Sequence, residues 1–434
     1  MFKTLKNIWN VKDLRNRILF TLFIFLIYRI GTFVPVPGVN TDVFTATNQA
    51  GNALFGLLNT FSGGALKQFS ILALGIYPYI TASIIVQLLS MDVVPKLAEW
   101  AKQGEMGKKK SAQLTRYLTI ALGVIQAFAM SIGFNRIYGT QMVPNATFAD
   151  YALIALVLTA GTAFLMWLGE QITEKGIGNG ISLIIFASII AGIPGHIQSL
   201  INSDFIAEGQ TFLNITKFII IALVVALIIV GVIYIQQAIR KIPVQYAKRV
   251  VGNKMYGGQN THIPLKINAA GVIPVIFAVS LLQFPSIIAG FWSTHAWAQW
   301  IIDNFSMQKG APLAMVLYVI MIIGFTFFYT FVQMNPTQMA DQMKKNGGYI
   351  PGVRPGKTTA TYLTRVMTRL TMTGAIFLAL ISLLPIALGT WAGLPSSIQI
   401  GGTSLLIVVG VALDTMKTIE SQLMKRHYKG FINK

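Results

Sequence analysis

I-T-K-F-I-I-I-A-L-V-V-A-L-I-I-V-G-V-I-Y-I, residues 215–235, runs directly into Q-Q-A-I-R-K-I-P-V-Q-Y-A-K-R-V, residues 236–250. The first stretch carries a single charge, Lys217, near its start, and has the ~20 residues a helix needs to cross a ~30 Å hydrocarbon layer. The second is polar and basic, with Arg240, Lys241, Lys248 and Arg249. Apolar runs of similar length recur at 18–36, 71–90, 117–134, 151–168 and 181–200 before this one, and at 268–291, 312–332, 370–391 and 398–416 after it. The pattern predicts an all-α polytopic membrane protein with ten transmembrane helices.

Orientation follows from the charges. Of the 34 Lys and Arg residues, only Arg29, Lys67, Arg136, Lys217 and Lys309 lie outside the N-terminal stretch and the segments after spans two, four, six, eight and ten. Short loops rich in Lys and Arg stay on the cytoplasmic side, so both termini and the two longest loops, about 236–267 and 333–369, are expected there. Hydrophobic residues make up 54% of the 434 and charged ones 11%, too few charges to clothe a soluble protein of this size. The formal charge of +20 therefore belongs to one membrane face, where it suits anionic lipid or an acidic partner. There are no cysteines, which excludes disulfides and thiolate metal sites. The first run reads as a retained span, since no small-residue cleavage pattern follows it at P-V-P-G, 35–38.

Between the spans, Gly-Gly and Pro-Gly punctuation in the two long loops predicts short extended hairpins reaching into water, not ordered domains. Residues 52–68, N-A-L-F-G-L-L-N-T-F-S-G-G-A-L-K-Q, are too short to cross the membrane and too apolar for water, so they read as interfacial or re-entrant. Pro78 is expected to interrupt span two, and Pro274 and Pro285 span seven. These are equivalent positions in two five-helix halves, about 1–200 and 201–434, a pointer to a moving pore or carrier.

The polar inventory narrows function. Arg29, Glu170 and Asp414 sit toward span ends, and no Asp, Glu, Lys or His falls at a midplane, which argues against an ion-coupled transporter or flippase for a small or lipidic solute. The histidines, His196, His262, His295 and His427, have no metalloprotease spacing. G-I-G-N-G, 176–180, lacks the Lys-Ser/Thr of a phosphate loop and reads as a tight turn between two helices. Neither an enzyme nor a cofactor site is expected.

Six motifs carry a family resemblance: F-S-G-G-A-L (61–66), A-L-G-I-Y-P-Y-I-T-A-S-I-I (73–85), M-W-L-G-E-Q-I-T-E-K-G-I-G-N-G-I-S (166–182), N-A-A-G-V-I-P (268–274), P-G-V-R-P-G (351–356) and G-G-T-S-L-L-I-V-V (401–409). In this order and over essentially its whole length, the chain resembles the SecY family of protein-conducting channels. The resemblance implies a clamshell of two pseudo-symmetric five-helix halves with a waist closed by an aliphatic ring, here Ile80, Ile84, Ile181, Ile185, Ile276 and Ile407. It makes the re-entrant segment a plug, with Phe55, Leu57, Leu58, Phe61, Gly63 and Gly64. It places a lateral gate on spans two and seven with three and eight, where Ser83, Gln87, Asn268, Ser280 and Gln283 supply polar side chains. The basic loops, with Arg240, Lys248, Arg249, Arg354 and Lys357, become docking sites for the ATPase SecA or a ribosome. SecE and SecG as small membrane subunits, a signal-bearing translocating polypeptide, anionic lipids and the bacterial cytoplasmic membrane complete what the resemblance implies. The channel itself holds no cofactor and catalyses no chemistry.

Overall fold

The computed structural model describes residues 11–41, 59, 62–90, 94–137, 142–143, 147–202, 211–246, 249–251, 254–256, 260–289, 292, 295–305, 311–391 and 396–432. Each of the ten expected spans falls on a helix: α1 (Lys12–Gly31), α2 (Tyr77–Leu89), α4 (Glu105–Ile137), α5 (Phe148–Lys175), α6 (Gly180–Asn202), α7 (Thr211–Gln237), α8 (Ile273–Ala289), α10 (Pro312–Gln333), α12 (Lys357–Trp391) and α13 (Ser396–Ile432). Among the described residues, four helices meet length and apolarity requirements for a crossing on their own: those in 105–135, 148–175, 312–345 and 357–384. Shorter amphipathic helices, α3 (Pro95–Lys102), α9 (Ala296–Asn304) and α11 (Pro336–Lys345), lie between them. Contacts group the chain into two compact units, one of Met1–Asn214, Ser280–Ala314 and Pro385–Lys434, the other of Ile215–Val279 and Met315–Leu384.

In the first unit, α4 packs on α2 and α5, α5 on α6, and α6 on α13. Contrary to expectation, Pro78 and Pro274 do not interrupt helices. Pro78 lies in the first turn of α2 and Pro274 is the second residue of α8, positions where the missing N–H has no intrahelical acceptor to satisfy. Only Pro285 lies inside its helix. Span two is accordingly a 13-residue helix, and residues 62–76 before it are irregular. Irregular backbone buried away from water needs its polar groups satisfied by surrounding protein. Here Val36 N–H donates to Phe69 O at 3.0 Å, Ile71 N–H to Val34 O at 2.9 Å, and the Thr162 hydroxyl to Gly75 O at 3.2 Å. Leu66, Phe69, Leu72 and Ala73 are buried along this segment, and Phe69 meets Phe134 edge-on at 6.3 Å. Gly161 on α5 lets the segment approach: a Cβ there would stand 1.9 Å from Ile71 O.

In the second unit the two long loops are joined. Strand β1 (Ile239–Tyr246) pairs antiparallel with β4 (Asn260–Lys266) and with β5 (Gly348–Tyr349), giving the order β4-β1-β5, while β2 (Arg249–Val251) and β3 (Lys254–Tyr256) form the hairpin between. The hairpins of the sequence reading are present, but the absence of ordered structure is corrected. Ile242, Val244 and Leu265 share an apolar core with Ala340 and Met343 of α11, Ile350, and Leu363 and Met367 of α12. Alternation along β1 puts Ile242 and Val244 on one face, and Asn335 caps α11 by accepting from Thr337 N–H and Gln338 N–H at 3.1 and 3.3 Å.

Candidate functional site

Four of the six ring isoleucines lie in the first unit and are buried there: Ile80, Ile84, Ile185 and Ile407. On α2, Tyr77, Ile80 and Ile84 follow one another at three- and four-residue spacing and share the buried face. On α6, Ile181 is half-buried in the first turn, and Ile185 and Ser188 continue its face. The start of that helix is held by side-chain acceptors. Asn179 Oδ1 accepts from Ile181 N–H at 3.1 Å and Ser182 N–H at 3.3 Å, and Thr173 Oγ1 accepts from Gly180 N–H at 2.9 Å. A Cβ on Gly180 would stand 1.8 Å from Gly169 O, so the turn expected from the sequence is also a helix-to-helix contact. Ile276, buried on α8, belongs to the second unit, where its neighbour Phe277 packs edge-on against Phe325 and Tyr329 of α10.

Of the plug residues, Phe55, Leu57, Leu58 and Phe61 lie outside the described residues. Gly63 and Gly64 are described, both with positive φ, at +66° and +89°. The turn they make is fastened by helices on either side. Tyr28 Oη donates to Ser62 O at 2.9 Å and lies 2.7 Å from Ser188 Oγ, while Arg29 Nη1 donates to Gly63 O at 2.9 Å and stacks over Phe33. Any side chain on Gly63 would run into the Tyr28 hydroxyl, 2.6 Å from its Cβ position. Sequence reasoning missed this staple. Its one visible signal was Arg29, an ionisable residue at a span end.

The gate residues divide between the units. Ser83 and Gln87 are half-buried on α2, and Gln87 Nε2 donates to Ser83 Oγ at 3.4 Å. Ser280, in the half of α8 that belongs to the first unit, is buried, and its backbone carbonyl accepts from Tyr77 Oη at 2.7 Å. Asn268, in the second unit, donates to Gly271 O at 3.0 Å. The side chain of Gln283 is outside what is described. Buried amide atoms without a partner among the described residues are Gln87 Oε1, Asn268 Oδ1 and both atoms of Gln126 on α4. Leaving such a group unpaired costs about 1–3 kcal/mol, so a partner atom brought to any of these places would be stabilising. Gln126 was legible in principle, as the lone amide within an apolar run.

On the basic loops, Arg240, Arg354 and Lys357 are exposed. Arg354 projects from a turn bounded by Gly352 and Gly356, at φ +80° and +103°, and the turn is closed by the Thr359 hydroxyl donating to Arg354 O at 2.8 Å. Lys248 lies outside the described residues, and Arg249 is placed in β2.

The SecY family model matches residues 70–416. The chain belongs to the SecY family. It is 60% identical to the protein translocase subunit SecY of Halalkalibacterium halodurans and 57% identical to that of Bacillus subtilis, in each case over 100% of both chains. Its fold is that of solved channels. A protein-conducting channel matches with a TM-score of 0.61 at 19% identity, over 94% of this chain and 92% of that one, and the yeast Ssh1 complex bound to the yeast 80S ribosome matches at 0.62 and 18%, over 94% and 90%. SecY membership is consistent with the helical layout described above.

Proposed function

We propose that this SecY-family chain works as a gated aliphatic constriction that passes signal-bearing polypeptides across the bacterial cytoplasmic membrane and releases apolar segments sideways into lipid. Full-length identity of 60% to a protein translocase subunit carries the function, and the family makes the chain a protein-conducting channel. The residue roles rest on the resemblance together with the burial described above. Ile80, Ile84, Ile185 and Ile407 line the seal, with Ile181 at its edge and Ile276, buried on α8, as its sixth member. β-Branched aliphatic side chains are stiff and offer an ion nothing in exchange for its hydration shell, so a ring of them closes by dewetting. The same ring makes no sequence-specific demand on a passing chain.

Residues 52–68 are the plug, with the stapled Ser62–Gly63 turn near its end. A related SecY structure describes a plug domain that stabilises the closed state and maintains the membrane seal, and the Tyr28, Arg29 and Ser188 contacts support the same role here. The gate opens along α2 and α8, with Ser83, Gln87, Asn268, Ser280 and Gln283 as its polar contacts. Arg240, Lys248, Arg249, Arg354 and Lys357 receive the cytoplasmic motor SecA or a ribosome, whose polyanionic RNA suits Lys and Arg by counterion release. SecE and SecG are the membrane partners, anionic lipids face the basic loops, both termini are cytoplasmic, and the channel is not an enzyme. The two halves, about 1–200 and 201–434, supply the two sides of the opening.

The test is reconstitution. Proteoliposomes holding this chain with the small membrane subunits, the ATPase and ATP should make a signal-bearing precursor protease-resistant, and the same precursor without its signal should stay accessible. Protection independent of the signal, or none at all, would remove the reading.

A further inference from the structure

We infer that Tyr77 sets how apolar a signal segment must be to open the channel, by latching α2 to α8; the inference rests on the channel reading above. The first residue of α2 directs its phenol to a main-chain carbonyl of α8, Tyr77 Oη to Ser280 O at 2.7 Å. Both residues are buried, at 9% and 6% exposure. A helical carbonyl keeps a second lone pair after its bond to the amide four residues on, so Ser280 O can accept the phenol without breaking α8. The latch is not a side-chain pairing on α8, and no substitution of the Ser280 side chain removes the acceptor.

Position makes the bond count. Tyr77 lies one turn before Ile80 and two before Ile84 on the same buried face, so the phenol fixes α2 just beyond the seal. Separating α2 from α8 breaks the bond where water is scarce, and a buried phenol left without a partner disfavours the separated state. An apolar segment entering between the helices has to offset that loss. A segment too weakly apolar fails to do so, which turns one hydrogen bond into a hydrophobicity threshold. Exchanging Tyr77 for Phe keeps the ring and its packing and removes only the donor. The closed state then loses its advantage over the open one by about five- to tenfold, the equilibrium equivalent of one net intramolecular hydrogen bond.

Two readouts test this in the complete translocase. The first is stringency: transport of a precursor whose signal is weakened by two Leu→Ser exchanges, divided by transport of the intact precursor. Tyr77→Phe should raise the ratio about five- to tenfold, and Tyr77→Met, which also lacks the hydroxyl, should raise it too, while Tyr79→Phe on the other side of the same helix should leave it at the starting value. The second needs no transport. Because the chain has no cysteine, spin labels at Thr81→Cys and Ile288→Cys report the spacing of α2 and α8, and Tyr77→Phe should shift the distribution toward longer distances. An unchanged ratio together with an unchanged distribution overturns the latch. A shifted distribution in a protein that transports neither precursor upholds the latch and removes the channel reading instead.

Discussion

At the scale of single residues, the tightest constraints are glycines that face backbone, because a carbonyl held in a packed segment cannot move aside as the end of a side chain can. A Cβ on Gly161 would stand 1.9 Å from Ile71 O, in the irregular segment that leads into α2. Gly161→Ala should therefore push α5 off that segment and lower stability by about 1–3 kcal/mol, as overpacking does elsewhere. Gly133 on α4 has nothing within 4 Å of its Cβ position, so Gly133→Ala should be neutral or slightly stabilising. Thermal unfolding in detergent separates the two, and equal midpoints for both variants would show that the close approach is not a constraint. None of this could be read from the sequence. G-I-G-N-G announced a turn by density alone, whereas Gly161 is one small residue in an apolar run, and only its neighbour across the fold gives it meaning.

At the scale of elements, the spans were legible because hydropathy and charge act along the chain and need no knowledge of neighbours. Helix starts were less so. Pro78 and Pro274 read as interruptions because the apolar run extends on both sides of them, and the structure shows that at Pro78 the run is loop first and helix afterwards. The joined cytoplasmic sheet was illegible for a related reason: β1 and β5 lie about a hundred residues apart, and their register, with Gln245 opposite Tyr349, is set by a shared core and not by local pattern. That core explains why Arg354 can present its charge reliably, since the turn carrying it follows Ile350, which is buried in the core. Arg354→Glu should lower ATPase-driven transport on the order of tenfold by reversing an interface charge, with protein level and melting temperature unchanged. A parallel fall in level and transport would assign the residue to the fold and not to docking. The affinity of the partner for the wild-type loops, measured at low and high salt, should fall as screening increases.

At the scale of the whole molecule, the absence of cysteine makes topology directly testable. Single Cys at the exposed positions Lys109 and Lys357 should react with an impermeant maleimide only from the cytoplasm, and at Phe148 and Gln299 only from outside; reversal at any one would break the ten-span arrangement.

A seal built from the ring isoleucines would be a property that no single residue owns. Ile80, Ile84, Ile185 and Ile407 come from three helices of one unit and are all buried, yet each read alone in the sequence is an ordinary apolar residue of a span. Only the resemblance singled them out, and their burial is what the structure adds. If they hold the resting channel dry, replacing two with Ser should let water in, raise ion conductance in planar bilayers and relax the demand for a strongly apolar signal, because closed and open states then differ less in free energy. One replacement should do much less, since the remaining side chains can still exclude water. Ile220→Ser, at a position 56% exposed on α7, is the control, and it should change neither conductance nor signal stringency. The two properties should also move together across the series of variants. If conductance rises while stringency stays fixed, the isoleucines seal the channel but do not weigh the signal, and selection then rests on the helix contacts at Tyr77; if neither moves, the constriction lies elsewhere in the chain.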